Sequence, residues 1–222
     1  MKTIFFALLL TLVSTLPAFG TACITNTDDH YLGISCGIGD MTFQNFSYST
    51  AGTTPMSPTE ITVNPIATQY SDGLLFNAPW GAQSNQTQDS LIGFTVTAPT
   101  KEITALSLYM FGAGTIGSGQ VSIAETYCAG DTFADMCANG TEGTLMTLLN
   151  SNTSILHASV SFAGVKVVDV MKDIELLGGA SGSASLLSGA ENAFAIPEPG
   201  SIFLVGTGVV GLGGVLRRKL MK

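Results

Sequence analysis

Charged side chains are scarce in this chain of 222 residues, at 11% against roughly 25% in an average soluble domain. Lys and Arg number 8 against 16 Asp and Glu, so the formal net charge is −8. Because proteins bind nucleic-acid phosphates with Lys and Arg, this composition argues against a nucleic-acid partner. Hydrophobic residues still make up 45% of the chain, which supplies a core and excludes global disorder.

The few basic residues are concentrated near the two termini. The segment between Thr21 and Ile196 holds three of the eight bases and fifteen of the sixteen acids. The chain therefore has an acidic body between two basic ends. This asymmetry is typical of sorting signals rather than of a functional site.

The N-terminus has the three parts of a secretory signal peptide. Lys2 is followed by an apolar run at residues 4–16 and then by small residues, of which Gly20 and Ala22 suit the position before a cleaved bond. The run is shorter than the roughly 20 residues that a membrane span needs. We therefore predict a signal peptide at residues 1–22, exported through the Sec translocon and removed by signal peptidase.

The C-terminus is also built in three parts. Pro197-Glu198-Pro199 precedes an uncharged, glycine-rich segment at residues 202–216, and Arg217-Arg218-Lys219 follows it. A helix over this segment spans about 22 Å, short of the ~30 Å core of a bilayer. The positive-inside rule keeps the three basic residues in the cytoplasm as a stop and leaves the acidic body outside. The sequence thus predicts a short transmembrane helix at residues 202–216.

This tail resembles the PEP-CTERM sorting signal over residues 195–222. The resemblance implies recognition by an exosortase, a membrane protease-transferase, at Pro197-Glu198-Pro199. It also implies a precursor held transiently in the inner membrane, then a product at the cell surface or outside the cell, with a link to exopolysaccharide and biofilm. A plain tail anchor is the alternative, but it leaves the Pro-Glu-Pro motif unexplained.

Four cysteines in an exported protein suggest two disulfides. They allow three connectivities, and we favour Cys23–Cys36 with Cys128–Cys137 because each pair brackets a short, loop-rich stretch. Lipidation of Cys23 is a weaker alternative. A zinc site is disfavoured because the sequence has no Cys-x-x-Cys pair, and we predict neither a metal nor a cofactor.

The body of the chain has the alternating pattern of short β-strands, separated by turn signals such as Asp72-Gly73 and Pro79. The pattern predicts an all-β fold, an antiparallel, jelly-roll-like β-sandwich at residues 23–194, flanked by the signal helix and the C-terminal transmembrane helix. The predicted strands are residues 42–48, 60–66, 91–97, 103–109, 120–127, 145–149, 156–162, 165–176, 183–187 and 192–195.

The body also resembles other PEP-CTERM passenger domains, a likeness that brings no molecular activity with it. The shared features are the paired cysteines, the strand at 42–48, and the segments at residues 75–80, 88–92 and 172–174.

Two motifs match catalytic or cofactor-binding patterns without their required context. Gly33-Ile34-Ser35-Cys36-Gly37 fits Gly-x-Ser-x-Gly, and His157 is the only later histidine, but a strand is predicted where a nucleophile elbow needs a helix. Gly112-Ala113-Gly114-Thr115-Ile116-Gly117 fits Gly-x-Gly-x-x-Gly, yet the residues after it are also strand-like. A disulfide loop and a hairpin connection are the favoured interpretations.

Three carboxylates share one face of the predicted strand at 165–176. Asp169, Asp173 and Glu175 have the same parity, while Val168, Val170, Ile174 and Leu176 take the other face. Such a cluster could provide a glycosidase acid and base, but a solvated sheet face is the more common use.

Loop acids and aromatic residues offer two further candidates. Asp28-Asp29 and the pair Asp131 and Asp135 could bind Ca²⁺, although no calcium-binding spacing is present. Aromatic residues could form a platform that stacks on sugars, although burial is the more common use of most. These aromatic residues are Trp80, Tyr31, Tyr48, Tyr70 and Tyr109.

The sequence therefore favours a non-enzymatic surface or extracellular-matrix protein. A carbohydrate-binding module is the alternative, and a glycoside hydrolase comes third. An aromatic row exposed on one sheet face would favour the carbohydrate-binding module.

Overall fold

The computed structural model describes residues 21–68 and 71–196. The predicted signal sequence up to Gly20, the Pro197-Glu198-Pro199 motif, the helix at 202–216 and the basic stop lie outside these residues. Within them, no helix is long and apolar enough to cross a membrane.

The described residues are mostly β-strand, with one short helix, α1 (Asp28–Tyr31), and 3₁₀ turns at Pro58–Glu60 and Phe133–Asp135. The strands are β1 (Asn26–Thr27), β2 (Cys36–Ile38), β3 (Met41–Gly52), β4 (Thr62–Ala67), β5 (Ser71–Gln83), β6 (Thr87–Thr97), β7 (Ile103–Phe111), β8 (Gly114–Ile116), β9 (Gln120–Ala129), β10 (Thr141–Leu149), β11 (Ser154–Ile155), β12 (His157–Val165), β13 (Val167–Leu177) and β14 (Ala184–Ala195).

These strands form two antiparallel sheets of seven strands each over the described part of the chain. The first sheet has the order β11-β10-β9-β13-β6-β3-β2. The second has the order β1-β4-β5-β14-β7-β12, with β8 beside β14. From β5 onward the chain crosses repeatedly from one sheet to the other. The predicted all-β antiparallel sandwich is confirmed.

Alternation of side chains explains how the two sheets share one core. Every second residue of β13, from Val168 to Leu176, points inward and is buried. Aromatic rings join the sheets across the core: Phe194 of β14 lies 5.9 Å from Phe43 and 6.3 Å from Phe94, between ring centroids. The inward face therefore supplies the hydrophobic stabilisation of the domain.

Pro79 and Asp72-Gly73 lie inside strand β5, so the prediction of turns at these positions was wrong. Pro79 sits opposite the irregularity of β14 between Leu187 and Gly189, where the ladder does not require its missing N–H. Gly73 lies so close to β14 that an added Cβ would be 1.9 Å from the Asn192 carbonyl oxygen. Proline and glycine here permit an irregular ladder and a close approach rather than a turn.

The segments predicted at 183–187 and 192–195 are parts of the single strand β14. The same irregularity between Leu187 and Gly189 divides its hydrophobic pattern, which explains why the sequence suggests two strands.

Both predicted disulfides are present. Cys23–Cys36 fastens the N-terminal segment to β2, with a Cα–Cα distance of 4.8 Å. Cys128–Cys137 closes the loop after β9, with a Cα–Cα distance of 5.7 Å. Both distances lie in the usual range for a disulfide.

Candidate functional site

The three carboxylates predicted to share a face of β13 do lie on the outer face of the first sheet. Asp169 pairs with Thr95 of β6, and Glu175 pairs with Asp89 of the same strand. Asp173 lies between them on β13. Their surroundings differ, so each is described by its own contacts.

Asp169 holds a loop in place. Its Oδ1 accepts a hydrogen bond from Thr95 Oγ1 at 2.8 Å, and its Oδ2 accepts one from the backbone N–H of Phe133 at 2.9 Å. Phe133 belongs to the loop that the Cys128–Cys137 disulfide closes. Because both carboxylate oxygens are engaged, the geometry fits an anchor for this loop.

A hollow of about 360 Å³ lies beside Asp169 on the same outer face. Asn45 lines it from a β3 irregularity, where its φ is 56°, and its Nδ2 donates to Thr95 Oγ1 at 3.2 Å. Gly93 leaves room in the floor, since a Cβ there would lie 2.5 Å from Ser47 Oγ. The hollow is thus made by a missing side chain and a strand irregularity, two features that hydrophobic periodicity does not reveal.

Asp173 forms a tight acidic group with its neighbours. Partial burial, the nearby Asp89 carboxylate and the charge of Glu175 raise the pKa of Asp173 to about 6. The carboxyls of Asp173 and Asp89 are close enough to hydrogen-bond. Glycosidase carboxyls stand roughly 5–5.5 Å or 6.5–9.5 Å apart, with room for a sugar or a water molecule between them. Two carboxyls in contact do not leave that room.

The nucleophile-elbow match does not have the geometry of a hydrolase site. Ser35 is exposed and leads into strand β2 rather than a helix, and its neighbour Cys36 is oxidised. His157 lies in β12 of the other sheet. Ser35 lines a hollow of about 240 Å³ together with His30. A strand after the serine is the arrangement expected of a disulfide loop.

The glycine-rich match at residues 112–117 also lies among strands. It connects β7 to β8, which pairs with β14, and a turn then leads into β9. A dinucleotide fingerprint requires a helix at this point to receive the pyrophosphate. The strand context expected after this motif is present, but the predicted hairpin was wrong, because β7 and β8 both pair with β14 and β9 belongs to the other sheet.

An aromatic row lies on the outer face of the second sheet. The ring of Tyr109 on β7 stacks on His157 of β12, with centroids 4.3 Å apart and planes at 20°. Phe111 continues the row, 6.0 Å from Tyr109 with planes at 18°. Phe111 is 43% exposed, and the nearby Leu156 is 45% exposed. We call Tyr109, Phe111 and His157 the aromatic row.

Other members of the predicted aromatic platform have different roles. Trp80 is buried, and its Nε1 donates to Ser90 Oγ at 3.3 Å. Tyr31 is buried with its hydroxyl donating to the Ile24 carbonyl, and the Tyr48 hydroxyl donates to the Met56 carbonyl at 2.8 Å. Tyr70 lies outside the described residues.

The loop acids do not gather around a shared centre. Asp28 is buried, and burial followed by the charge of Asp29 raises its pKa to about 7. Hydrogen bonds from the backbone N–H groups of Asn139 and Thr132 lower the pKa of Asp131. Among residues 21–68 and 71–196, no group of three or more His, Cys, Asp or Glu side chains could hold a metal ion.

The most unusual polar group lies in the core and was not predicted. Lys172 Nζ donates to Glu125 Oε2 at 2.5 Å, and Asn192 Nδ2 donates to the same oxygen at 2.6 Å. All three side chains are fully buried. The parity of β13 could have revealed it, because Lys172 has the parity of the buried valines on that strand. We call Lys172, Glu125 and Asn192 the core triad.

The family model of the PEP-CTERM protein-sorting motif matches residues 195–219. The chain carries a PEP-CTERM sorting motif. The matched residues include Pro197-Glu198-Pro199 and the basic residues Arg217-Arg218-Lys219, so the tail resemblance is confirmed. The PEP-CTERM motif implies export, membrane-anchored sorting and processing by an exosortase. The two disulfides agree with an extracellular environment.

Some solved structures show a distant likeness to the sandwich. TmCBM61 in complex with β-1,4-galactotriose is 12% identical, with a TM-score of 0.30 over 65% of this chain and 86% of that chain. The enzymatically active domain of tailspike protein 4 from bacteriophage CBA120 is 8% identical, with a TM-score of 0.28 over 69% of this chain and 19% of that chain. A family 11 carbohydrate-binding module from Clostridium thermocellum, in complex with a β-1,3-1,4-mixed-linked tetrasaccharide, is 8% identical, with a TM-score of 0.22 over 77% and 96%. No protein of curated function matches the sequence.

Proposed function

We propose that this PEP-CTERM-sorted extracellular protein is a non-enzymatic component of the cell surface or extracellular matrix. In this proposal its sandwich binds the exopolysaccharide of its own biofilm. The observation that carries the proposal is the aromatic row on the outer face of the second sheet. A partner polysaccharide explains why rings that could be buried are instead stacked at the surface.

The aromatic row suits the C–H faces of sugar rings. Its rings are held nearly parallel by stacking on each other, so little side-chain freedom is lost when a sugar binds. Polar groups flank the row on the same face, where Glu191 is the cross-strand partner of Tyr109. Asn77 on β5 and Phe111 on β7 pair with the same residue of β14, Gly189, from its two sides. The Asn77 side chain is fixed, because its Oδ1 accepts from Asn64 Nδ2 at 2.9 Å and its Nδ2 donates to the Ser188 carbonyl at 3.2 Å. These groups can exchange hydrogen bonds with sugar hydroxyls.

The surroundings of the acidic residues support binding rather than catalysis. Both oxygens of Asp169 hold the disulfide loop, and Asp173 is in contact with Asp89. The Asp173–Asp89 contact lacks the separation of the acid and base in glycoside hydrolysis, and the engagement of Asp169 leaves it a structural use, which supports the proposal of binding.

Binding to the organism's own exopolysaccharide tests the proposal. We expect Phe111→Ala and Tyr109→Ala to weaken binding about fivefold, since each removes a stacking surface worth about 1 kcal/mol. Met146→Ala is the matched control, because Met146 is 52% exposed on β10 of the other sheet. Equal binding by all three variants and the parent protein would contradict the role of the aromatic row. Release of new sugar reducing ends would contradict the non-enzymatic role.

The sorting part of the proposal has a separate test. We expect an exosortase to remove the segment from about Pro199 onward, because an apolar span this short makes a marginal anchor suited to an intermediate. Intact-mass measurement of the surface protein, with and without the exosortase gene, would detect the cut. A mature protein that retains Arg217-Arg218 in cells containing the enzyme would support a plain membrane anchor instead.

A further inference from the structure

The core triad joins the two sheets through one carboxylate oxygen. Lys172 and Glu125 are cross-strand partners on β13 and β9 of the first sheet, whereas Asn192 comes from β14 of the second. Both nitrogens contact Glu125 Oε2, at 2.5 Å and 2.6 Å. An amine, a carboxamide and a carboxylate are therefore held together, away from water, by three different strands.

The surroundings of the core triad are apolar. Ile92 is the cross-strand partner of Lys172 on β6, and Leu74 and Leu108 are the partners of Asn192 on β5 and β7. All three hydrophobic side chains are fully buried. Within the described residues, Glu125 Oε1 and Asn192 Oδ1 have no hydrogen-bond partner. Leaving such atoms unpaired is costly, so a purely structural role accounts poorly for this group.

The buried site changes the protonation equilibrium of Lys172. Burial lowers the pKa of the Lys172 amine, against the opposing effect of the Glu125 carboxylate. Transfer of a proton from Lys172 to Glu125 gives a neutral amine and a neutral acid, which a low-dielectric interior tolerates better than two ions. A neutral lysine in an apolar pocket is an activated nucleophile.

We propose that Lys172 and Asn192 form an intramolecular isopeptide bond, with Glu125 transferring the protons. The three side chains already meet at one oxygen, so the reaction needs no diffusional encounter. A half-turn of the Asn192 carboxamide places Oδ1 against the protonated Glu125, which polarises the carbonyl for attack.

The reaction balances without an oxidant or a co-reactant. The Lys172 Nζ lone pair attacks Asn192 Cγ, and Glu125 donates a proton to the carbonyl oxygen. Glu125 then takes up a proton from the former amine and delivers it to the leaving Nδ2. The C–N bond to that nitrogen breaks, and the proton on the former carbonyl oxygen returns to Glu125 as the C=O bond re-forms. Ammonia departs, and a secondary amide links the two side chains. The product is lighter by one ammonia, about 17 Da.

The position of the bond suits a sorted protein. Asn192 lies just before the sorting motif that begins at residue 195, so tension on the C-terminal tether acts first on β14. A Lys172–Asn192 bond would fasten that strand covalently to β13 of the opposite sheet. The bond would hold β14 in the domain under a tension that breaks the hydrogen bonds between neighbouring strands.

Peptide mapping of the full chain, denatured and reduced, tests the inference. Cleavage after glutamate spares the Glu198–Pro199 bond, so in an unlinked chain it separates residues 143–175 from the C-terminal peptide that begins at Asn192. We expect instead one branched peptide containing both, lighter than their sum by about 17 Da, and no cleavage by trypsin after Lys172. Recovery of the two separate peptides at full mass from folded protein would overturn the proposal, whatever any variant does.

Variants identify the role of Glu125. We expect Glu125→Gln to keep Lys172 and Asn192 but to yield the two unlinked peptides, because Gln cannot transfer protons. Lys166→Met is the control that retains the link. Asn139-Gly140 can also lose ammonia by succinimide formation, so fragment sequencing must place the loss at Asn192. A linked peptide in folded Glu125→Gln protein would contradict the proton-transfer role.

Discussion

The two faces of β13 show how differently one strand can use charged side chains. On the inner face Lys172 is fully buried and donates to one carboxylate oxygen of Glu125. On the outer face Asp169, Asp173 and Glu175 are partly or fully exposed: Asp169 accepts from a hydroxyl and a backbone N–H, Glu175 accepts from a hydroxyl, and Asp173 lies against Asp89. Adjacent residues such as Lys172 and Asp173 therefore lie in opposite dielectric environments although only a peptide bond separates them.

The difference shows that accessibility, more than charge, decides what a titratable group can do. An outer carboxylate that loses its partner gains water, so its energy changes little. A buried group that loses its partner gains nothing, and its energy rises steeply. Substitutions on the two faces should therefore have very different effects, which the following experiments measure from the largest to the smallest.

Replacement of Lys172 should have the largest effect. Lys172→Ala leaves Glu125 buried without a cation or a link and opens a void, so we expect a loss of about 3–5 kcal/mol in the free energy of unfolding. Denaturant titration with both disulfides intact would measure it. Lys166→Ala is the control, because Lys166 Nζ reaches only the Lys101 carbonyl at the surface. Equal stabilities for these two variants would remove the contrast between the faces.

Replacement of Asp169 should have an intermediate effect. Asp169→Ala breaks the hydrogen bonds to Thr95 Oγ1 and to the Phe133 N–H, and we expect a loss of about 1–2 kcal/mol. The effect should be local, because the Cys128–Cys137 disulfide still closes the loop. Hydrogen exchange should therefore speed up at Phe133 but not in β6 or β9. Uniform acceleration throughout the sheet would show that Asp169 supports more than the loop.

Much of the fold could be predicted from the sequence because hydrophobic alternation and cysteine spacing are local signals. The strand at β13 and the pair Cys128–Cys137 are examples. Pro79 was wrongly predicted to lie in a turn, and the burial of Lys172 was not predicted, although the parity of β13 indicates it. What makes both positions tolerable depends on partners distant in sequence. Pro79 is tolerated by an irregularity in β14, and Lys172 is tolerated by Glu125 and Asn192. The aromatic row was predicted only in part. Tyr109 was among the candidate aromatic residues, but its stacking on His157 depends on the register between β7 and β12, which the sequence does not show.

Replacement of Asp173 should have the smallest effect, and its sign should depend on pH. The pKa of Asp173 is raised from 3.8 to about 6, so between these values the unfolded chain releases a proton that the folded chain retains. The folded state therefore loses stability as the pH rises through this range, and the penalty is complete above about pH 6.

Asp173→Asn removes this penalty while keeping a donor for Asp89. We expect the variant to be more stable than the parent protein by about 1 kcal/mol at pH 7, because solvent screens this partly exposed group, and equal to it near pH 3.8. Urea titrations at both values would measure the difference. Glu142→Gln is the control for loss of one acidic charge, because Glu142 is exposed on β10 and is not among the groups that raise the pKa of Asp173. A stabilisation that persists unchanged at pH 3.8 would show that the gain comes from packing rather than from relief of the Asp173–Asp89 contact.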